Sequence, residues 1–181
     1  VMIDAIRQLG IEIKTYDNRM EIWGKGLHGF QQSDTSLYCG NSATTIRLLA
    51  GAIASSGIDA ILDGSEGLRK RPMKRIIAPL QKLGVDIKGI NNNAPLTING
   101  DSPNIGNTIN LEIPSAQVKS SILFAALSAR SKTILSTPGT SRDHSEKMLM
   151  HMGVKIDHSE DNNQITIYPT EKLNPLNITI P

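Results

Sequence analysis

The chain repeats itself. "IRQLGIEIK" from Ile6, "LQKLGVDIK" from Leu80 and "LMHMGVKID" from Leu149 share one pattern. Each is the end of an amphipathic helix, a glycine, then the alternation of a strand. Gly10, Gly84 and Gly153 stand 74 and 69 residues apart, and an interval of about 70 residues points to a repeated supersecondary unit. Each glycine falls where a helix ends in a left-handed cap. A polar turn follows each strand start ("YDNR", "NNNAP", "SEDNN"), and then a second alternating run ("MEIWG", "LTING", "QITIYP"). That is a hairpin signal.

Two copies carry an earlier half as well. One begins in "GNSATTIRLLAGAIASSG", the other in "SAQVKSSILFAALSARS". Both start with small polar residues and continue with aliphatics at helical spacing. Strand candidates follow, "DAILDG" and "KTILSTPG", and then charged turns, "LRKRPMKR" and "SRDHSEKM", which open the helix that ends at the repeat glycine. The unit therefore reads helix, strand, charged turn, helix, hairpin. Residues 1–30 hold a first copy cut to its last helix and hairpin, residues 37–100 a second copy and residues 105–170 a third. The expected fold class is α+β, with helices covering one face of small mixed sheets.

Composition narrows the rest. The 181 residues, 39% of them apolar, suffice for a real core. With only Trp23, Phe30, Phe124 and three tyrosines as aromatics, that core must be aliphatic. The single cysteine, Cys39, excludes an internal disulfide framework, suits a reducing, cytoplasmic compartment and reads as a small buried residue. No apolar run reaches the ~18 residues of a membrane span. A net charge of +2 is too mild for a general nucleic-acid binder. Val1 opens in the middle of a helix and "NPLNITIP" stops on a strand or linker, so the expectation is a piece of a longer protein.

The chemistry-bearing stretches lie at helix starts. In "GNSATTIR", Asn41 or Ser42 caps a helix whose first N–H groups remain free, a natural anion site. Arg47 lies about two turns on and either reaches a partner in the core or points to solvent. "LRKRPMKR" crowds Arg69, Lys70, Arg71, Lys74 and Arg75 at a helix start, with Pro72 suited to the first turn. Five cations there oppose the helix dipole. They form either a solvated charge run or a cradle for phosphate or carboxylate, where arginine offers a planar fork. In "PSAQVKSS", Ser115 is the cap, Gln117 offers a donor and an acceptor, and the default for Lys119 is exposure. In "SRDHSEK", neighbours in sequence do not make a Ser–His–Asp triad. Asp143 reads as a cap with Glu146 as its capping-box partner, leaving Arg142 as an anion ligand. Four scattered histidines and one cysteine form no metal constellation.

"GNSATTIRLLAG", "RKRPMKRIIAPLQKLG", "PSAQVKSSILFAAL" and "SRDHSEKMLMHMG", in this order and spacing, resemble the 5-enolpyruvylshikimate-3-phosphate synthase family. The resemblance covers essentially the whole chain. It implies one domain of a two-domain enolpyruvyl transferase, residues 1–174, with residues 175–181 starting the linker to a second domain of the same polypeptide. It also implies transfer of the carboxyvinyl group of phosphoenolpyruvate to the 5-hydroxyl of shikimate 3-phosphate, with inorganic phosphate released. No metal or organic cofactor is implied, nor is a nucleic acid or membrane partner. The catalytic acid–base groups would lie outside this chain, which would then not turn over alone.

Residue by residue, the resemblance implies that Ala43, Arg71 and Gln117 bind phosphoenolpyruvate. It likewise implies that Ser115, Ala116, Gln117 and Arg142 bind shikimate 3-phosphate. Ala116 stands where many members have serine, so a hydroxyl contact is lost and a backbone contact survives. Ala43 stands where many have glycine, similar to the branch insensitive to glyphosate, an inhibitor that occupies the phosphoenolpyruvate site. Two rival readings are the related transferase acting on UDP-N-acetylglucosamine and a non-catalytic module binding phosphate or RNA. The first uses a loop cysteine that Cys39 does not match, and scarce aromatics weigh against the second.

Overall fold

Gly84 shows why the repeat glycines are glycines. Its φ is +93°, and a Cβ there would lie 2.1 Å from the carbonyl oxygen of Pro103. Gly10 and Gly153 share the left-handed conformation, at φ 82° and 91°. Each turns the chain from a helix into a hairpin. The structure, a computed structural model, describes residues 1–179. Residues 180 and 181, the end of the expected linker, lie outside the described residues.

The first copy contributes α1 (Met2–Gln8), β1 (Glu12–Thr15) and β2 (Met20–Trp23). The second comprises β3 (Leu37–Tyr38), α2 (Ala43–Ser56), β4 (Ala60–Asp63), α3 (Glu66–Arg69), α4 (Lys74–Lys82), β5 (Asp86–Ile90) and β6 (Asn93–Asn99). The third comprises β7 (Thr108–Asn110), α5 (Ala116–Ala126), β8 (Thr133–Ser136), α6 (His144–His151), β9 (Ile156–His158) and β10 (Gln164–Ile167). The α+β class with small mixed sheets holds. Two four-stranded sheets share one order, β3-β4-β6-β5 and β7-β8-β10-β9, beside the two-stranded β1-β2.

The first pair in each larger sheet is parallel and the others are antiparallel. A parallel pair needs a long crossover. Helices α2 and α5 provide it, and so are carried across their sheets into the core. The repeat unit read from the sequence starts at its first helix and so omits β3 and β7, because two or three residues are too few to show alternation.

Helices α2 and α5 run side by side in the same direction. Thr44 meets Gln117 near their starts, and Gly51 meets Ser121 further along. Ile46, Leu49 and Ile53 of α2, Ile122 of α5, and Ile76 and Leu80 of α4 join one buried aliphatic cluster. A smaller cluster gathers Leu123, Leu149, Ile165 and Ile167 in the third copy.

Three local expectations are corrected. Pro72 precedes α4 rather than opening it, because a Ser65-capped turn of helix, α3, takes up the start of the basic stretch. Asp143 makes no cap bond and pairs with Lys147 at 2.8 Å. Lys119 is buried, and Glu146 turns inward to meet it instead of closing a capping box.

Cys39 is buried beside Asp63, and burial first, then that carboxylate, pushes its thiol up to about 12. The folded state favours the neutral thiol. Its contribution to stability is complete below the ordinary thiol range near 9 and is lost as pH rises towards 12. Thiolate is the reactive form, so a thiol reagent at pH 8 should leave native Cys39 unlabelled and modify it fully once denaturant is added. Rapid labelling of the native protein would contradict this.

Candidate functional site

Two helix N-termini open at the same place. The Ser42 hydroxyl accepts from the Thr45 N–H at 3.2 Å, and the Ser115 hydroxyl accepts from the Val118 N–H at 3.4 Å. Ser42 and Ser115 are therefore equivalent caps, and Ala43 and Ala116 are the first residues of their helices. Capping by serine leaves further first-turn N–H groups without helical partners, at the positive end of each dipole. Both helices start with alanine, so little side-chain bulk stands between those N–H groups and an incoming anion.

Gln117 bridges the two helices. Its Nε2 donates to the Thr44 hydroxyl at 2.8 Å, and its Oε1 accepts from Arg47 Nη1 at 2.7 Å. The open question about Arg47 is thus answered: it reaches a partner on the neighbouring helix. Both ends of the Gln117 amide are fixed, and one Nε2 proton is left to donate. Burial first, then the charges of Arg75 and Arg71, lower the pKa of Arg47. Its Nε is buried and has no partner among the described residues. Arg47, Arg71 and Arg75 form a field of like charge beside the helix starts, and among the described residues none of them has an acidic partner. An anion would relieve this arrangement.

The basic turn divides its cations. Arg69 is taken by Asp63, whose carboxylate its guanidinium holds below the usual range. Arg71 is exposed, on a turn fixed by its own N–H to the Leu68 carbonyl and by the Met73 N–H to the Asn92 carbonyl. Backbone bonds hold the turn, and among the described residues the Arg71 side chain has no ion-pair partner.

Arg142 stands on the loop 137–143, which lies against the start of α5. A Cβ on Gly139 would touch Pro114 at 3.5 Å, and Lys119 Nζ donates to the Ser141 carbonyl at 3.4 Å. Arg142 is exposed and without an ion-pair partner among the described residues. The structure thus gathers Ala43 and Gln117 at the paired helix starts, with Ser115 and Ala116. It sets Arg71 and Arg142 on turns at the margin. Sequence reasoning missed the Thr44–Gln117–Arg47 bridge and the Lys119–Glu146 pair. A lone arginine among aliphatics on one helix was the visible trace of the bridge.

Among the described residues no group of three or more His, Cys, Asp or Glu could hold a metal ion, and no helix is long and apolar enough to cross a membrane. The arrangement can bind small anions at preorganised N–H groups and guanidinium forks.

Residues 1–181 match the family described as EPSP synthase (3-phosphoshikimate 1-carboxyvinyltransferase). Among curated proteins, the chain is 43% identical over 179 residues to 3-phosphoshikimate 1-carboxyvinyltransferase of Syntrophomonas wolfei, covering 98% of this chain and 41% of that protein. It is 44% identical over 183 residues to the protein of the same name from Thermodesulfovibrio yellowstonii, covering 99% and 42%. Among solved structures, EPSP synthase from Acinetobacter baumannii superposes with a TM-score of 0.89 at 36% identity, covering 95% of this chain and 39% of that one. The chain spans about two fifths of the length of these relatives.

Proposed function

Because the chain belongs to the EPSP synthase family, we propose that it supplies one half of a site that transfers the enolpyruvyl group of phosphoenolpyruvate to the 5-hydroxyl of shikimate 3-phosphate. The observation that supports this is the pair of parallel helix starts bridged by Thr44, Gln117 and Arg47. Two substrates carry two phosphates and two carboxylates between them. Such a site needs donors fixed before the anions arrive, since preorganised charge costs no rearrangement in the reaction itself.

In this reading Ala43, Arg71 and Gln117 hold phosphoenolpyruvate. Ser115, Ala116, Gln117 and Arg142 hold the shikimate phosphate. The 5-hydroxyl oxygen loses its proton and adds to C2 of phosphoenolpyruvate while C3 gains a proton; elimination then removes a proton from C3, breaks the bond from C2 to the phosphate oxygen and restores the double bond. The side chains named here bind and orient both partners, which is a large part of the rate gain for a two-substrate step. Acid–base groups come from a second domain of the same polypeptide, residues 1–174 being the first domain and the stretch from 175 the linker. The enzyme works in the cytoplasm. The nucleotide-sugar and RNA-binding readings are not favoured, since the family match is to the shikimate enzyme.

An NMR titration of the chain with shikimate 3-phosphate, with shikimate as control, tests the reading. Shifts at Ser115, Gln117 and Arg142 are expected with the phosphate ester alone. No response to either compound in the chain and in the whole-length protein would defeat it.

Ala43 gives a second test. Its methyl stands at the start of α2, where a glycine would leave room for a bulkier ligand. One methyl in a pocket is worth about 1–3 kcal/mol, so Ala43→Gly in the whole-length enzyme should strengthen glyphosate inhibition by about 10-fold or more. An unchanged inhibition constant would remove Ala43 from the phosphoenolpyruvate pocket.

A further inference from the structure

Lys119 and Glu146 form an ion pair that the fold does not require. Nζ and Oε1 lie 2.8 Å apart, with side-chain exposures of 4% and 2%. The internal repeat supplies the comparison. Counting from the caps Ser42 and Ser115, Lys119 occupies the place of Ile46. Counting back from Gly84 and Gly153, Glu146 occupies the place of Ile77. Both isoleucines are buried in the main aliphatic cluster. One architecture thus fills the same two places with isoleucines in one copy and with opposite charges in the next.

Burying two charges is costly, and apolar replacements of similar volume are often neutral or stabilising. Stability therefore does not explain the pair. Its surroundings suggest what does. In the second copy the turn after the second strand is held by α3, by the Ser65 N–H on the Gly40 carbonyl and by the Met73 N–H on the Asn92 carbonyl. The corresponding loop of the third copy, residues 137–143, has no helix. Its anchors are the Thr137 N–H on the Asn163 carbonyl, the Thr137 hydroxyl on the Gly139 carbonyl, Lys119 Nζ on the Ser141 carbonyl and, at its last residue, the Asp143–Lys147 ion pair. Glu146 keeps the Lys119 ammonium in place for its bond to Ser141. The adjacent Ser120 and Ser145 hydroxyls, 2.6 Å apart, tie the same two helices together.

We propose that Lys119 and Glu146 are positioning residues that fix the loop 137–143, and with it Arg142, against the start of α5. The proposal rests on the functional reading above only for the identity of the ligand. Removing both partners leaves the net charge unchanged. What changes is the order of the loop.

The test is the double variant Lys119→Ile/Glu146→Ile, which copies the second unit. Backbone order parameters of the chain are measured by 15N relaxation, without ligand. In the wild type, Gly139–Asp143 should be near the rigid value of about 0.85, and in the variant they should fall below about 0.6. The thermal midpoint should hold or rise. Affinity for shikimate 3-phosphate should drop by about tenfold while that for phosphoenolpyruvate changes less than about twofold, a split that general loosening would not give. Leu149→Val, which loosens α6 without touching the pair, should leave the loop ordered.

If the isoleucine pair does not fold, Lys119→Met/Glu146→Gln removes both charges at similar shape and is read in the same way. A loop equally ordered in the folded variant overturns the proposal. A wild type that binds neither compound, both as this chain and at whole length, defeats the functional reading instead, and the relaxation comparison still decides the role of the pair.

Discussion

Gly51→Ala is expected to destabilise the protein by about 3 kcal/mol, near the upper end of ordinary overpacking costs. A Cβ at this position would lie 2.1 Å from the carbonyl oxygen of Ser121 and 2.7 Å from its carbon. Both obstacles are backbone in the middle of α5, so no side-chain rotation relieves them. Helices α2 and α5 would have to move apart, and the buried cluster around Ile46, Ile53 and Ile122 would open with them. Alanine is the better helix former by about 1 kcal/mol, which offsets only part of that cost. For a chain of this size 1 kcal/mol moves the midpoint by about 2–4 °C, so a drop of about 6–12 °C is expected in a thermal melt. Gly24→Ala is the control, since nothing lies within 4 Å of its added carbon. Equal midpoints for the two variants would mean that the helices are not in the contact described.

The second large effect is on activity. Arg71→Ala in the whole-length enzyme should lower kcat/KM for phosphoenolpyruvate by about 10²–10³-fold, the range for losing one partner of a desolvated charge pair. Stability should barely change, because Arg71 is exposed and its side chain bonds to no other group among the described residues, and such sites fall within about ±0.5 kcal/mol. Arg71→Lys should recover only part of the loss, because an ammonium restores the charge without the planar two-pronged donor. Steady-state kinetics beside a melt separates these effects. An Arg71→Ala enzyme with normal kcat/KM would transfer the role to another arginine of the field, Arg75 being the nearest in sequence.

What could be read from the sequence was local. The hairpins, the left-handed glycines and the Ser115 cap are decided within a few residues, and the structure has them where the pattern puts them. Strands β3 and β7 were missing from the repeat unit because their pairing is decided by partners some 25 residues later in the chain. The apparent capping box at Asp143 and Glu146 shows the same limit from the other side. The spacing was right, but a lysine 27 positions away offered Glu146 a stronger partner in a dry interior. Arg47 was ambiguous for a similar reason. A single helix cannot reveal that its neighbour, 70 residues on, presents a glutamine.

Thr44 and Gln117 are counterparts, each the second residue of its helix, and they are bonded to each other. The repeat thus sets one helix start against its own copy, and the two unlike second residues join them while both serine caps stay in place. Neither copy owns the resulting site. A substitution at one of these places alters the setting of its own counterpart, whereas the hairpins lie in separate sheets and share no strand pairing.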